Sequence, residues 1–352
     1  MMNKLFLLVF VLALMVSGFL NACGTNTPDV PQKTGLKVGV VLGVGSENDK
    51  SFNEYTLKGA RQAAAEASLA FEYITTDSTE DYERNVANMA GKADLVITPG
   101  YLFTEVTAKV ARNNPNVWFV IVDVPYLPGQ GCPETVKDCY SKEGGLTNVT
   151  SLVFAEDQMG YLAGVLAACM TKTGVIASVS GMEIPPVVRL VAAYEKGAKS
   201  VAPNIVTLNQ YIPNFDDLPT GKLVGQKFIN EGADVIAGFG GNTGNGGLLA
   251  AHEAGVMAIG VDVDQYLAYP EVQSALLTST AKFIDVAVAE VVRQFAQGTL
   301  KAGIQLKTLA TGGVGLTPYH QWEEKIVAAG CDQKIKTAVA AIKADPTITG
   351  AQ

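Results

Sequence analysis

The chain has 352 residues, a formal net charge of −8 and 17% charged residues. Its length exceeds that of one typical folded core, so we expect two domains. The acidic balance and the lack of Lys and Arg clusters argue against nucleic acid as a partner, because phosphate binding needs such clusters. The 48% hydrophobic content is typical of an α/β protein with buried strands.

The N-terminus is predicted to be a targeting signal rather than part of the fold. Lys4 precedes the apolar run 5–20, which is too short and too near the start to favour a membrane-spanning helix. The sequence Leu-Asn-Ala-Cys, ending at Cys23, resembles the bacterial lipoprotein signal, in which cleavage leaves a lipidated cysteine as the first residue. We therefore predict a signal peptide over 1–22 and a flexible, lipid-anchored tether over 23–35. An ordinary secretory signal with an incidental cysteine is the alternative.

Residues 36–171 alternate short apolar runs with helical patterns. This order predicts a parallel sheet covered on both faces by helices. The predicted strands are 38–42, 71–75, 95–98, 117–122 and 146–154, and the predicted helices are 55–67, 80–89, 103–112 and 156–170, the last of which is expected to close the first domain.

Two cysteines lie in one predicted loop over 125–145. Cys132 and Cys139 are close enough there to pair, and export from the cytoplasm permits a disulfide. Cys169 lies in an apolar helical run and is expected to be a buried thiol, whereas Cys331 has no predicted role.

A second series of strands and helices begins at the turn 172–174. Its predicted strands are 175–179, 205–211, 235–237 and 257–261, its helices are 187–202, 221–231 and 248–254, and a glycine-rich loop covers 238–247. The run 276–279 is interpreted as the return to the first domain. We thus predict lobe I over 36–171 and 274–306 and lobe II over 172–273 and 307–352. Several crossings without a long linker are typical of a hinged clamp.

Aromatic, acidic and glycine residues gather at the predicted strand and loop ends, where ligands bind in open α/β sheets. Two aromatic rings can sandwich a flat ring, and each stack contributes roughly 1–3 kcal/mol for a nucleobase. Carboxylates suit a ligand rich in N–H and O–H donors, and a glycine-rich loop lets backbone N–H groups approach closely. Lys282 is expected to neutralise Asp262 or to donate to a ligand hydroxyl. The candidate ligand-binding residues are Phe52, Asn53, Asp123, Phe215, Gly244, Asp262 and Lys282.

Several motifs, in this order and spacing, resemble those of the basic membrane protein family of bacterial lipoproteins, whose best-understood type is a purine nucleoside receptor. They are Asp-Lys-Ser-Phe-Asn at 49–53, Lys-Thr-Gly-Val-Ile-Ala at 172–177, Ser-Gly-Met-Glu-Ile-Pro at 180–185, Gly-Asn-Thr-Gly-Asn-Gly at 241–246, Ile-Gly-Val-Asp-Val-Asp-Gln at 259–265 and the segment 278–286. The resemblance covers nearly the whole chain after Cys23.

The resemblance implies a class I periplasmic-binding-protein fold: two lobes, each a parallel sheet flanked by helices, joined by hinge crossings. It implies a monomer that captures a nucleoside, with purine as the expected base, and delivers it to an ABC permease from the outer side of the cell membrane, at the cell surface or in the periplasm. Phe52 and Phe215 would stack on the base, and Asp123 would hydrogen-bond it.

The resemblance also assigns the ribose hydroxyls to Gly244, Asp262 and Lys282. A further aromatic contact of the family falls near Leu190 or Tyr194. The chain departs from the family at Gly43, where an Asp usually binds the base. The base would then be held by Asp123 alone, by Asn53 or through a different donor pattern.

Other interpretations remain open. Phe52 can be a core aromatic, Asp49 is expected to cap a helix rather than to touch ligand, and Arg189 is either a cleft contact or a surface ion-pair partner. The ligand can be another flat ring, such as a flavin, or the protein can pass a signal to a membrane sensor.

An enzyme is the least favoured interpretation. The enzyme considered is a secreted nucleoside hydrolase. No G-x-G-x-x-G, P-loop or G-x-S-x-G motif occurs. The chain has only His252 and His320, and neither lies in a motif with a nucleophile. No spacing of Cys and His indicates a metal site, and no cofactor is predicted.

Overall fold

The computed structural model describes residues 35–45 and 47–350. The predicted signal peptide, Cys23 and nearly all of the predicted tether lie outside these residues. No helix in the described ranges is both long enough and apolar enough to cross a bilayer.

Fourteen strands are found in the described residues, in chain order. They are β1 (Lys37–Val41), β2 (Ala70–Ile74), β3 (Leu95–Pro99), β4 (Trp118–Val122), β5 (Leu127–Pro128), β6 (Gly131–Cys132), β7 (Val149–Phe154), β8 (Val175–Ser180), β9 (Val206–Tyr211), β10 (Val235–Phe239), β11 (Met257–Asp262), β12 (Leu276–Lys282), β13 (Gly303–Lys307) and β14 (Val314–Leu316).

Eleven α-helices accompany them in the same part of the chain. They are α1 (Phe52–Glu66), α2 (Tyr82–Ala90), α3 (Thr104–Asn113), α4 (Glu156–Met170), α5 (Pro185–Val201), α6 (Leu218–Asn230), α7 (Gly241–Ala254), α8 (Gln265–Ala268), α9 (Ile284–Ala296), α10 (Glu323–Ala328) and α11 (Cys331–Ala344).

Two six-stranded sheets form the framework, and this confirms the predicted α/β fold with two lobes. The first has the order β13-β7-β4-β3-β1-β2 and is parallel throughout. The second has the order β14-β12-β11-β10-β8-β9, in which only β14 runs antiparallel to its neighbour. Within this set of strands the chain therefore passes between the sheets three times, after β7, after β12 and after β13.

The central strands are buried on both faces, as their continuous Val and Ile runs predict. Alternate residues of β4 face opposite sides of the first sheet: Val120 packs with the apolar side chains of α1, and Phe119 and Ile121 pack with those of α2 and α3. This period of two follows from strand geometry, and it fixes the register of the sheet and hence the places where the strands end.

Two predicted lobe boundaries are wrong in the light of strand pairing and helix packing. β12 pairs with β11 in the second sheet, so the return to the first lobe comes after Lys282 and not at 274. Helix α4, expected to close the first lobe, packs against α5 of the second. Gly164 of α4 and Gly197 of α5 lie so close to the opposing backbone that added Cβ atoms would come within 1.9 and 2.0 Å of carbonyl oxygens.

The four cysteines of the described residues form two disulfides. Cys132 is bonded to Cys139 in the loop after β4. Cys169, at the end of α4, is bonded to Cys331, at the start of α11. The expectation of a free buried thiol at Cys169 is therefore wrong. The second bond closes a sequence separation of 162 residues and ties the C-terminal helix to the second lobe.

Candidate ligand-binding site

A cavity with about 880 Å³ of empty space, its mouth included, lies between the carboxyl ends of the two sheets. The first lobe contributes the turn after β1, the start of α1 and the ends of β3 and β4, and the second contributes α5, the loop after β9, the start of α7 and the ends of β11 and β12. The predicted meeting of strand ends in one gap is thus found in the structure.

Two half-buried phenylalanines line this cavity from opposite lobes. Phe52 is the first residue of α1, and Phe215 lies between β9 and α6. Phe215 packs against Gly181 and Gly240, where an added Cβ would come within 2.5 and 3.0 Å of its ring. These glycines make room for the ring, because a side chain at either position would meet its Cδ1 and Cε1 atoms.

Two acids end corresponding strands of the two sheets. Asp123 directly follows β4, Asp262 is the last residue of β11, and only about 5–6% of either residue is exposed. Both have positive φ, 67° for Asp123 and 64° for Asp262. Residues other than glycine pay for this conformation, and such strain is concentrated at functional sites. The two carboxylates are therefore held at the cavity by their backbones as well as by their partners.

A buried ionic cluster joins the lobes beneath Phe52. The Lys282 ammonium pairs with Asp123 Oδ2 and lies 3.2 Å from Glu156 Oε1, and Arg189 holds the other oxygen of Glu156 at 2.8 Å. Neutralisation of Asp262, one of the two roles expected of Lys282, does not take the form of a direct ion pair, and Asp262 Oδ2 accepts from Ser51 Oγ at 2.6 Å. Glu156 was not among the predicted site residues, because an acid at the start of a helix resembles a solvated one. Arg189 is its ion-pair partner.

Burial governs the ionisation of this cluster. It raises the pKa of Asp123 to about 7, although the Lys282 charge opposes the shift. It raises the pKa of Asp262 as well, against Lys282 and the Ser51 hydrogen bond. Burial alone would lower the pKa of Lys282, but the charges of Asp123, Glu156 and Asp262 outweigh it and the net shift is upward. The lysine therefore stays charged over the physiological range.

One fully buried carboxylate oxygen at the cavity has no hydrogen-bond partner in the part of the chain that the structure describes. Asp123 Oδ1 is buried and accepts no hydrogen bond from any described residue. Leaving a buried acceptor unpaired costs about 1–3 kcal/mol, and more for a charged group. A ligand N–H or O–H that reaches this oxygen would recover that cost.

Asn53 lines the cavity, but its side-chain amide is hydrogen-bonded to the turn after β1. Its Oδ1 accepts from Gly43 N at 3.3 Å, and its Nδ2 lies 3.4 Å from the carbonyl oxygen of Val44. Asp49 accepts from the backbone N–H groups of Ser51, Asn53 and Glu54, so its carboxylate caps the start of α1 as expected, although Ser51 occupies the N-cap position and Asp49 also lines the cavity. Burial raises the pKa of Asp49 to about 6 against these hydrogen bonds.

Gly244 does not line the cavity, which contradicts the sequence prediction. The glycine-rich stretch is largely helix α7 rather than a loop, and Gly244 donates its N–H to Gly240 O at 3.1 Å. An added Cβ at Gly244 would meet Gly238 backbone at 2.8 Å, so this glycine serves helix–strand packing. Gly241 and Asn242, at the first turn of α7, face the cavity instead.

An apolar wall completes the site from the second lobe. Ile184, Val187 and Leu190, in and just before α5, line the cavity. Of the two positions considered for a further contact, Leu190 faces the cavity, whereas Tyr194 is buried edge-on against Phe239. The site is therefore apolar over most of its surface, with a few polar groups at its base, as is usual for small-molecule sites.

Two sheets with a shared cavity at their carboxyl ends define a two-lobed solute-binding protein. Comparison with known families identifies the type. The chain belongs to the Bmp family, described as ABC transporter substrate-binding protein PnrA-like, which matches residues 36–345.

Individual relatives agree with this assignment. The ABC transporter nucleoside-binding protein BmpA of Lactococcus lactis subsp. cremoris is 31% identical over 333 residues, covering 89% of this chain and 87% of the relative. An uncharacterized lipoprotein of Pyrococcus furiosus is 30% identical over 330 residues, covering 89% and 77%. A crystal structure of an ABC transporter solute-binding protein from Aeropyrum pernix superposes with a TM-score of 0.71 at 25% identity, covering 88% and 86%.

The chain is therefore the substrate-binding component of an ABC transporter and not an enzyme. Its ligand is a small molecule, and its protein partner is a membrane permease. Relatives of this chain are named lipoproteins.

Proposed function

We propose that this protein captures a nucleoside between its lobes and delivers it to the permease. The observation that carries the proposal is the unpaired, buried Asp123 Oδ1 in a cavity walled by Phe52 and Phe215. Two aromatic faces suit a flat base, and a free carboxylate oxygen suits its N–H groups. The printed name of the Lactococcus lactis relative supports the same ligand class.

The remaining roles follow from the contacts. Asp262 has one oxygen bound by Ser51 and presents the other to a ribose hydroxyl. Lys282 holds Asp123 in place and is positioned to donate to the same sugar. At the first turn of α7 the N–H of Thr243 donates to Phe215 O and that of Gly244 to Gly240 O, so the N–H groups of Gly241 and Asn242 are the ones that suit ligand oxygens.

The test is to identify the ligand and then to remove the two aromatic walls. Protein purified without added ligand is denatured, and the released small molecules are identified by mass spectrometry. Titration calorimetry with a panel of nucleosides follows. Phe52→Ala and Phe215→Ala should each weaken binding by about tenfold or more, since a base–aromatic stack contributes about 1–3 kcal/mol.

Phe71→Ala is the matched control, because Phe71 is half-buried on β2 and does not line the cavity. It should leave affinity unchanged. Release of a flavin or another flat ring, with no binding of any nucleoside at millimolar concentration, would replace the nucleoside by that ligand. Equal losses in all three variants would show that the two walls have no special role.

We further propose that the mature protein is a monomer anchored through lipid on Cys23. Cleavage would remove residues 1–22, and 23–35 would serve as the tether. Cys23→Ala should release the protein from the membrane fraction into the soluble fraction. Metabolic labelling with a fatty acid should mark the native chain and not the variant; labelling of both would contradict the assignment.

A further inference from the structure

Tyr82, which the sequence analysis did not single out, occupies a corner of the cavity. It is the first residue of α2 and only 2% exposed, and it lines the cavity beside Gly43 at the end of the turn from β1. Its ring stacks on Phe103 with centroids 4.0 Å apart and planes 10° apart. The stacking and the burial fix the direction of the phenol, so its hydroxyl is held at one point of the cavity wall.

The Tyr82 hydroxyl has a hydrogen to give. Its oxygen accepts from Val44 N at 3.0 Å. No described residue accepts the hydroxyl hydrogen in return. Burial raises the pKa of Tyr82 above its usual range, in spite of the Val44 hydrogen bond, so the group keeps its proton. With its oxygen already bonded to an N–H, the hydroxyl acts towards a ligand chiefly as a donor.

Gly43 leaves this corner to the phenol. Asp123 and Asp262 place carboxylates at the ends of β4 and β11. The corresponding position after β1 is Gly43, which follows Leu42 and has no side chain. A Cβ added at Gly43 would lie only 3.0 Å from Tyr82 Oη and 3.4 Å from Phe103. The glycine therefore makes space for the hydroxyl, and the end of the first strand offers a donor where the other two offer acceptors.

We propose that Tyr82 is a specificity-determining residue that donates its O–H to a carbonyl oxygen of the bound base. This inference rests on the proposed nucleoside function. Asp123 Oδ1 has no donor among the described residues, and the Tyr82 hydroxyl, which accepts from Val44 N, can still donate its hydrogen. An oxo base such as hypoxanthine presents a ring N–H beside a carbonyl oxygen, whereas adenine presents a ring acceptor beside an exocyclic donor, so donor and acceptor exchange places and only one order fits a fixed pair of protein groups. The site should therefore select nucleosides of oxo bases over those of amino bases.

The base of inosine carries an oxo group and a ring N–H, whereas the base of adenosine carries an amino group. These two nucleosides therefore test the selection. Titration calorimetry should give the native protein an affinity for inosine at least about tenfold higher than for adenosine, since sites with dedicated polar partners reject analogues that cannot pair with them. Tyr82→Phe should weaken inosine binding by about tenfold and leave adenosine binding nearly unchanged. The ratio of the two affinities is the readout, because a general loss of structure would lower both.

Tyr140→Phe is the matched control. Its hydroxyl also accepts from a backbone N–H, that of Tyr126 at 3.0 Å, but it does not line the cavity. This variant should keep the native ratio. Gly43→Ala provides a second route, because its new Cβ would displace the Tyr82 hydroxyl without removing it, and it should also reduce the preference for inosine.

The results distinguish a failure of the Tyr82 role from a failure of the nucleoside function. Binding of both nucleosides with equal affinity, or a Tyr82→Phe variant that weakens both alike, would overturn the role of Tyr82 and leave the nucleoside function standing. Failure of inosine, adenosine, uridine and cytidine to bind the native protein would overturn the proposed function and this inference with it.

Discussion

Replacing Lys282 by Met should destabilise the protein far more at high pH than at low pH. The change keeps the length of the side chain but removes the only cation that contacts Asp123 among the described residues. Glu156 keeps Arg189, so the uncompensated charge falls mainly on Asp123. Removing one partner of a buried ion pair costs about 3–5 kcal/mol. At roughly 2 °C per kcal/mol for a large domain, the melting temperature should fall by about 6–10 °C.

The pH dependence follows from the sign of the Asp123 shift. Burial already raises the pKa of this carboxyl to about 7 with Lys282 present, and loss of the lysine charge raises it further. A raised carboxyl pKa means that the folded state binds the proton more tightly than the unfolded state, so stability is lost as pH rises from about 4 through the folded pKa. The difference between native protein and Lys282→Met should therefore be large at pH 9, where Lys282 is still charged, and should shrink towards pH 5.

Thermal melts of both proteins at the two pH values give the measurement. Lys58→Met is the control, because Lys58 pairs with Asp285 at 2.9 Å on the surface, where an ion pair contributes about 0–1 kcal/mol. A double change of Lys282→Met with Asp123→Asn should recover part of the loss, since it also removes the unpaired charge. Equal effects of the two lysine changes, or a loss at position 282 that does not vary with pH, would refute the account of the ionic cluster.

Three further changes have defined outcomes. Replacing Cys169 and Cys331 together by Ser should lower the free energy of unfolding by about 2–3 kcal/mol more than the same change of Cys132 and Cys139. The reason is that the first disulfide closes a sequence separation of 162 residues and the second one of 7. Equal denaturation midpoints of the two variants would contradict this. Gly164→Ala should cost about 3 kcal/mol or more by pushing α4 from α5, and Gly91→Ala, with no contact under 3.6 Å, should be nearly neutral in the same melts. Nucleoside affinity should fall as pH drops below about 7, because Asp123 then gains a proton, and calorimetry of Asp123→Asn should show weaker binding without that slope.

The sequence predicted the strands well because buried parallel strands are continuous runs of Val and Ile. It also predicted that polar side chains at the strand ends would line one cavity, since the ends of such strands meet at one edge of a sheet. Asp123 and Asp262 directly end or follow apolar runs, and Asp49 precedes a helix in the pattern of a cap. In these cases the signal is local, and local sequence is enough to read it.

Predictions failed where a partner lies far away in the chain. Lys282 contacts Asp123 across 159 residues, and Cys169 bonds to Cys331 across 162, so neither pairing leaves a local pattern. Gly244 was assigned to the ligand because a run of glycines resembles a loop, yet the tertiary contact with Gly238 uses the missing side chain for packing. The four-residue spacing of Gly160 and Gly164 is one overlooked signal, since small residues a turn apart allow another helix to approach.

Polar contacts between the lobes contribute to the way in which the two lobes close. Asp123 of the first lobe is held by Lys282 of the second, and Ser51 of the first donates to Asp262 of the second. A buried ion pair gives little net free energy, because desolvation offsets most of the attraction. These contacts therefore set the register of closure more than its strength. Under the proposed function, a ligand would stabilise the closed arrangement through Phe52, Phe215 and the Asp123 oxygen that has no partner among the described residues. Affinity and closure should then depend on the same few residues, and substitutions elsewhere at the lobe interface should alter closure only when they disturb this register.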